Sequence, residues 1–298
     1  MTLRISAAQR LINHQRYLSD VESRMDQIQQ QLATGRKIAR ASDDPAGAAL
    51  ALQHRKNIGF EAQMRRNIDG GLAFMNASEA ALDGATESLQ RARELAIRAA
   101  NDTHSPDQRQ AIALEFDQII RHVAQVANTR FGDAYIFSGH KTNQPAFDID
   151  DSGGALTIQY QGDDGARMRR ISFADEAPIN VTGDVAFGSL FDDLIDLRET
   201  IASAGSGTEI SARIDVIDDG MDRIMNARAD IGARVNRFES AKAQSEVVNI
   251  NLQELRAGIE EVDLSEAIVE LYGVETSLQA ALGAIGRTNN MTLLNFLH

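Results

Sequence analysis

The chain has 298 residues, sets 43 acidic against 30 basic side chains for a net charge of -13, and contains no cysteine. The missing thiols exclude disulfides, thiolate metal sites and cysteine nucleophiles, and the acidic balance opposes general nucleic-acid binding, which needs a basic footprint. Hydrophobic residues at 43%, aromatics at only 5% and no Trp describe a folded, helix-rich chain long enough for more than one domain.

No stretch approaches the ~18 apolar residues of a membrane span, and residues 1–11 lack the apolar core of a cleaved signal peptide. Residues 1–60 carry nine Lys/Arg and five Asp/Glu, whereas residues 260–298 carry one Arg and six Asp/Glu. The two ends therefore attract each other in a salt-dependent way.

From Leu11 the apolar residues repeat in sevens: Leu11, Leu18, Met25 and Leu32 form one row, with Val21 and Ile28 three residues on. This heptad pattern predicts a helix with a narrow seam for a partner helix. It stops at Gly35 and a basic cluster of Arg36, Lys37 and Arg40. In Ser42-Asp43-Asp44-Pro45, either Asp can cap a new helix and Pro45 can sit at its first position.

A second helical stretch runs from about 46 to 100, with Ile68, Met75, Leu82, Leu89 and Ala96 again seven apart. Unbroken, it would span ~80 Å, although Gly70-Gly71 is a place for it to loosen. Ser105-Pro106-Asp107-Gln108 reads as a capping box. The helix after it carries Ile112, Phe116, Ile119, Val123 and Val126 on one face.

Between about 134 and 188 the period changes. Segments 134–138, 156–160, 169–173 and 179–182 read as strands, with Asp163-Asp164-Gly165 as a hairpin turn. Helix returns near Phe191. Its longest row is Ile217, Ile224, Ile231, Phe238, Ser245, Leu252 and Ile259. The final stretch has Leu264, Leu271, Leu278 and Ile285, flanked by Ile268 and Leu282, and the chain ends apolar at Leu293, Leu294, Phe296 and Leu297.

The expectation is a mainly α fold with a small β insertion, its terminal helices pairing into an elongated rod with the β-rich domain at the tip. Three domains follow: 1–45 with 255–298 as a terminal coiled coil, 46–133 with 190–254 as a helical rod, and 134–189 as a β-rich outer domain.

Several blocks resemble the flagellin family. Residues 31–48, QLATGRKIARASDDPAGAA, resemble the segment joining the terminal helix to the rod; NIDGGLA at 67–73, EAAL at 79–82 and LQRARELA at 89–96 resemble the blocks that follow, and IGARVNRFESA at 231–241 resembles the C-terminal rod helix. Within the family, YIFSG at 135–139, Lys141-Thr142 and PAF at 145–147 look like hook–filament junction members (hook-associated protein 3), while the N-terminal blocks also match filament subunits.

The resemblance implies a secreted structural protein of the extracellular flagellum, exported without a cleaved leader. Implied partners are other copies of itself, an adjacent hook-associated protein on the hook side, flagellin on the filament side, an export chaperone and the flagellar type III export apparatus. Leu11, Leu18, Val21, Met25, Ile28, Leu32, Leu264, Ile268, Leu271, Leu278, Leu282 and Ile285 would form the inner-tube assembly interface. Leu264, Ile268, Leu271, Leu278 and Leu282 are the candidate chaperone stripe. The plain alternative is a coiled coil that closes the monomer, and outside the family the alternative is a non-flagellar coiled-coil scaffold. Arg91, Arg93, Glu94 and Arg98 are candidates for a lateral rod contact or a solvated helix face, with Glu94 and Arg98 spaced to pair.

No enzyme is expected. The histidines at 14, 54, 104, 122, 140 and 298 lack metal-motif spacing. Asp102, His104 and Ser105 crowd one turn, where Ser105 serves better as a cap than as a nucleophile. Asp148, Asp150, Asp151, Asp163 and Asp164 lack calcium-loop spacing. Gly153-Gly154 and Gly205-Ser-Gly207 read as flexible connections rather than phosphate loops. No cofactor and no metal are expected.

Overall fold

The computed structural model describes residues 7–101, 105–151, 155–203 and 205–294, with the side chains of 7, 8, 10, 11 and 287–294 outside the description. The chain divides into two compact units, one of Met1–Phe60 with Val248–His298 and one of Glu61–Val247. Eight helices carry most of the described chain: α1 (Ala7–Thr34), α2 (Pro45–Ala99), α3 (Pro106–Ala127), α4 (Gly183–Phe187), α5 (Leu190–Ala202), α6 (Gly207–Ser211), α7 (Asp215–Glu260) and α8 (Leu264–Leu294). The expected mainly helical fold with small β elements is what the chain adopts.

Helix boundaries follow the local signals. α1 stops at Gly35, whose φ of +66° suits the left-handed position after a helix. Asp44 Oδ1 accepts from the N–H groups of Ala46 (3.1 Å) and Gly47 (2.9 Å), so Asp44 is the cap and Pro45 opens α2. Ser105 and Gln108 form the reciprocal capping box of α3.

In the 61–247 unit, α2 and α7 run antiparallel, as three links along them establish: Glu61 with Ser245, Arg228 with Glu79, and Arg93 with Asp218. The heptad rows face inward. Ile68, Met75, Leu82, Leu89 and Ala96 are fully buried, as are Ile217, Ile224, Ile231 and Phe238, and α3 adds Phe116, Ile120 and Val123. Burying such side chains contributes roughly 1.5–3 kcal/mol each.

Gly70-Gly71 does not loosen α2, which is continuous through both. Gly71 instead admits a neighbour: a Cβ there would meet Phe238 Cε1 at 2.5 Å.

The β elements differ from expectation. Three separate antiparallel pairs form: β1 (Arg130–Phe131) with β2 (Ala134–Tyr135), β3 (Phe147–Asp150) with β4 (Thr157–Tyr160), and β5 (Met168–Arg170) with β6 (Glu176–Pro178). The strand read at 134–138 is cut to two residues, and Ile136 and Phe137 are buried in irregular backbone. The strand expected at 179–182 lies just after β6 instead. Residues 163–165 are not a hairpin turn, because β4 pairs back onto β3 and β5 pairs with β6.

Long-range hydrogen bonds hold that connection. Asp163 Oδ1 accepts from the N–H groups of His140 (2.7 Å) and Gly165 (2.9 Å), and the Tyr160 hydroxyl donates toward the carbonyls of Phe137 (3.1 Å) and Asp163 (2.8 Å). Beneath lies an aromatic cluster in which Phe147 contacts Tyr160, Phe187 and Phe191.

Candidate assembly surface

The terminal unit is built on α1 and α8. Their order is antiparallel: Arg24 reaches Glu270 (Nε to Oε1, 3.1 Å), and residues 35–37 meet 260–262. The apolar row of α1 faces α8. Ile28 is buried, and Leu18, Val21, Met25 and Leu32 are half-buried. On α8 the matching row is Ala267, Leu271, Val274, Leu278, Ala281 and Ile285, spaced alternately four and three; Ala267 is buried and the others are half-buried. This is a heptad seam. Leu11 belongs to the same row, but its side chain lies outside the described residues, as do those of Leu293, Leu294, Phe296 and Leu297.

A clasp of backbone hydrogen bonds joins the α1–α2 link to the α7–α8 link. Lys37 N–H donates to Glu260 O (2.7 Å) and Val262 N–H to Gly35 O (3.1 Å), with Arg36 and Glu261 as the bridged pair. Gln31 Nε2 donates to Lys37 O (3.1 Å), and the largely buried Glu260 carboxylate pairs with Arg55 (2.8 Å). The charge imbalance between the chain ends thus takes the form of Arg24–Glu270 and Arg55–Glu260.

The residues singled out as an interface fall into two sets. Leu18, Val21, Met25, Ile28, Leu32, Leu271, Leu278 and Ile285 are in the seam within one molecule. Leu264, Ile268 and Leu282 are outside it, 53%, 45% and 53% exposed, and Tyr272 joins them at 66%. These four lie on one side of α8, roughly 60–140° around from the seam at 100° per residue, with Leu282 ten positions beyond Tyr272. The candidate chaperone stripe is divided in the same way. Sequence reasoning missed Ala267, Val274 and Ala281, because small residues at seam positions weigh little in a hydrophobic row, and missed Tyr272 because it follows no heptad.

In the other unit, Arg91, Glu94 and Arg98 are exposed on α2. Arg91 donates to Glu94 (3.1 Å) and to Glu115 of α3 (2.7 Å), so Glu94 pairs with Arg91 and not with Arg98. Arg93 is a partly exposed tie to α7, with Nε 2.7 Å from Asp218 Oδ1. The hydrogen bond to Asp218 raises the guanidinium pKa above its ordinary value. Ion pairs among the described residues are made by Arg, with Lys242–Asp69 the exception.

Ser105 accepts from Gln108 N–H as a cap, while Asp102, His104, Gly153 and Gly154 lie outside the described residues. Among the described residues no three His, Asp or Glu side chains gather as a metal site would require. No described helix is long and apolar enough to cross a membrane.

Two family models match the chain: bacterial flagellin N-terminal helical region over residues 5–142, and bacterial flagellin C-terminal helical region over residues 214–297. The flagellar filament 30.7 kDa core protein of Treponema maltophilum is 29% identical over 272 residues, 89% of each chain. Flagellin FlaB2 of Treponema pallidum is 27% identical, covering 95% of this chain and 97% of its own. Among solved structures, one assigned as a flagellar hook-associated protein of Vibrio parahaemolyticus superposes with a TM-score of 0.68 at 20% identity, over 74% of this chain and 100% of that one. FlgL of Bacillus cereus follows with a TM-score of 0.59 at 23% identity, over 69% and 99%. At these identities the structural likeness is one of fold.

Proposed function

This chain belongs to the flagellin family, and from that premise we propose that it is a structural part of the extracellular bacterial flagellum, joining hook to filament by self-assembly into the axial tube. The observation that carries the assembly reading is the apolar flank of α8, open in the monomer while the neighbouring seam is half-buried to buried. Copies meeting through that flank and through polar faces of the other unit would repeat head to tail and side by side, the heterologous mode that generates rings and helical tubes. Its work is mechanical fit, with no catalysis.

The junction role is supported by the segments 135–139 and 145–147 and is in keeping with the fold shared with hook-associated proteins. Its neighbours are then a hook-associated protein on one side and flagellin on the other. Before assembly, the open flank at Leu264, Ile268 and Leu282 calls for cover, the task of an export chaperone that receives a helix in a groove and passes the chain to the type III export apparatus.

The filament subunit is the second reading, favoured because the relatives matched over nearly full length are filament proteins. Deleting the gene separates the two. A lost junction leaves bare hooks while filament protein spills into the medium; a lost filament subunit leaves hooks still carrying their junction proteins. Normal flagella after deletion, with this protein absent from purified flagella of the parent, would refute both.

A further inference from the structure

In the 61–247 unit, Arg167 breaks the rule its neighbours keep. Arg93, Arg121, Arg198, Arg228, Arg234 and Arg237 each meet a carboxylate. The Arg167 guanidinium instead lies over the ring of Phe74, 4.7 Å from its centroid, and its buried Nη1 has no hydrogen-bond partner. Burial, and then the charge of Arg169, push its pKa below the ordinary guanidinium value. Arg169, two residues on and within β5, is exposed. Phe74 meets the ring of Phe131 edge-on at 5.9 Å, and Phe131 is itself 39% exposed. Nearby carboxylates are already engaged: Glu176 by Arg170 and Asp175 by Arg237. Phe74 itself is buried, so the surface here consists of Arg169, the half-buried Arg167 and Phe131, and among the described residues neither arginine meets a carboxylate, in a chain of net charge -13.

The complement is on α7. Asp215, Asp219 and Asp222 are exposed at i, i+4 and i+7, one face of the helix, and among the described residues none of the three forms an ion pair. Half-exposed Met225 beside them offers an apolar companion for Phe131. The two surfaces cannot meet within one molecule. Asp218 is tied to Arg93, and Arg167 sits on Phe74, 19 positions earlier on the same helix. At 1.5 Å per residue they are about 28 Å apart.

We propose that the Arg167–Arg169 surface with Phe131 beside it receives the Asp215–Asp219–Asp222 ridge of a second copy of this chain. The contact is heterologous, using two different patches of one molecule, so it repeats from copy to copy into a ring or an open helix. Charge complementarity sets its register and makes it weaken with salt. It rests on the axial-assembly reading above and gives that reading a polar contact.

Because the chain has no cysteine, disulfide trapping reports the contact directly. Double variant R167C/D219C and each single variant are expressed in place of the native protein, and purified flagella are oxidised. An intramolecular bridge is ruled out by the separation, since bridged Cα atoms lie within about 7 Å. The expected result is a ladder of dimers and higher multimers from the double variant and no ladder from either single one. Because an arginine and an aspartate can touch with their Cα atoms farther apart than a disulfide allows, the same flagella are also treated with a longer bis-maleimide cross-linker, and normal protein content with no ladder by either route overturns the proposal. Capture of a different protein by the thiol of the R167C variant overturns the choice of partner. If the double variant fails to enter flagella, co-expressed R167D/R169D and D219R/D222R decide: recovery of incorporation only in the mixture supports the contact, and no recovery refutes it. Absence of the wild-type protein from flagella would instead refute the axial reading.

Discussion

The adjacent glycines of α2 give a test with opposite signs at neighbouring positions. Gly70 is exposed, and a Cβ there would meet nothing within 4 Å. Gly70→Ala should therefore stabilise the helix by up to about 1 kcal/mol, through propensity and a less disordered unfolded chain. Gly71 is buried, and its Cβ would come to 2.5 Å from Phe238 Cε1 and 3.2 Å from Ile179 Cγ2. Phe238 is fully enclosed and cannot swing away without opening the core. Overpacking of this kind costs roughly 1–3 kcal/mol, which outweighs the propensity gain, so Gly71→Ala should be net destabilising by up to about 2 kcal/mol. Thermal unfolding followed by far-ultraviolet circular dichroism reads both changes, at roughly 2–4 °C per kcal/mol for a unit of this size. A Gly71→Ala melting temperature at or above that of Gly70→Ala would refute the close-packing argument.

Ile28→Asp places a charge in the α1–α8 seam with no partner and should separate the two helices, at about 3 kcal/mol or more; hydrogen exchange should quicken across α1 and α8 while the 61–247 unit keeps its protection. Tyr160 is held protonated by burial, its pKa raised from 10.0 to about 12. The unfolded chain releases that proton first, so the contribution is complete below pH 10 and is lost as pH rises from 10 toward 12. Solvent screening of this half-buried group limits it to about 1 kcal/mol. An ultraviolet titration of the four tyrosines should show one ionising later than the rest, and Tyr160→Phe should remove that late step. Leu282→Glu, on the open flank of α8, should leave monomer helicity unchanged within about 0.5 kcal/mol of stability yet abolish incorporation into flagella, as quantified by mass spectrometry of purified flagella.

What was legible in the sequence was local or periodic. Asp44-Pro45 and the Ser105–Gln108 box act within one turn, so their chemistry is visible in four residues. The rows from Ile68 to Ala96 and from Ile217 to Phe238 are long enough for their period to name the buried face. The β region obeyed no such rule. Residues 161–166 run past 138–144 because the Tyr160 hydroxyl, the Asp163 carboxylate and the Lys141 ammonium bind backbone groups about 20 residues away, and no neighbouring pattern encodes that. The seam of α8 was half legible: Leu271, Leu278 and Ile285 carry the signal, while Ala267 before them and Ala281 among them are too small to mark a row.

The clasp between residues 35–37 and 260–262 also acts as an origin for counting. Measured outward from it, α1 and α8 advance in opposite chain directions, yet each seam position on one has a fixed opposite number on the other. Seven residues added to α1 alone would leave a turn or two of bare helix with nothing to lie against. The two arms are thereby yoked: a change in the length of one leaves the seam filled only when the other changes by the same number of heptads, so the ruler for this part of the molecule is written twice.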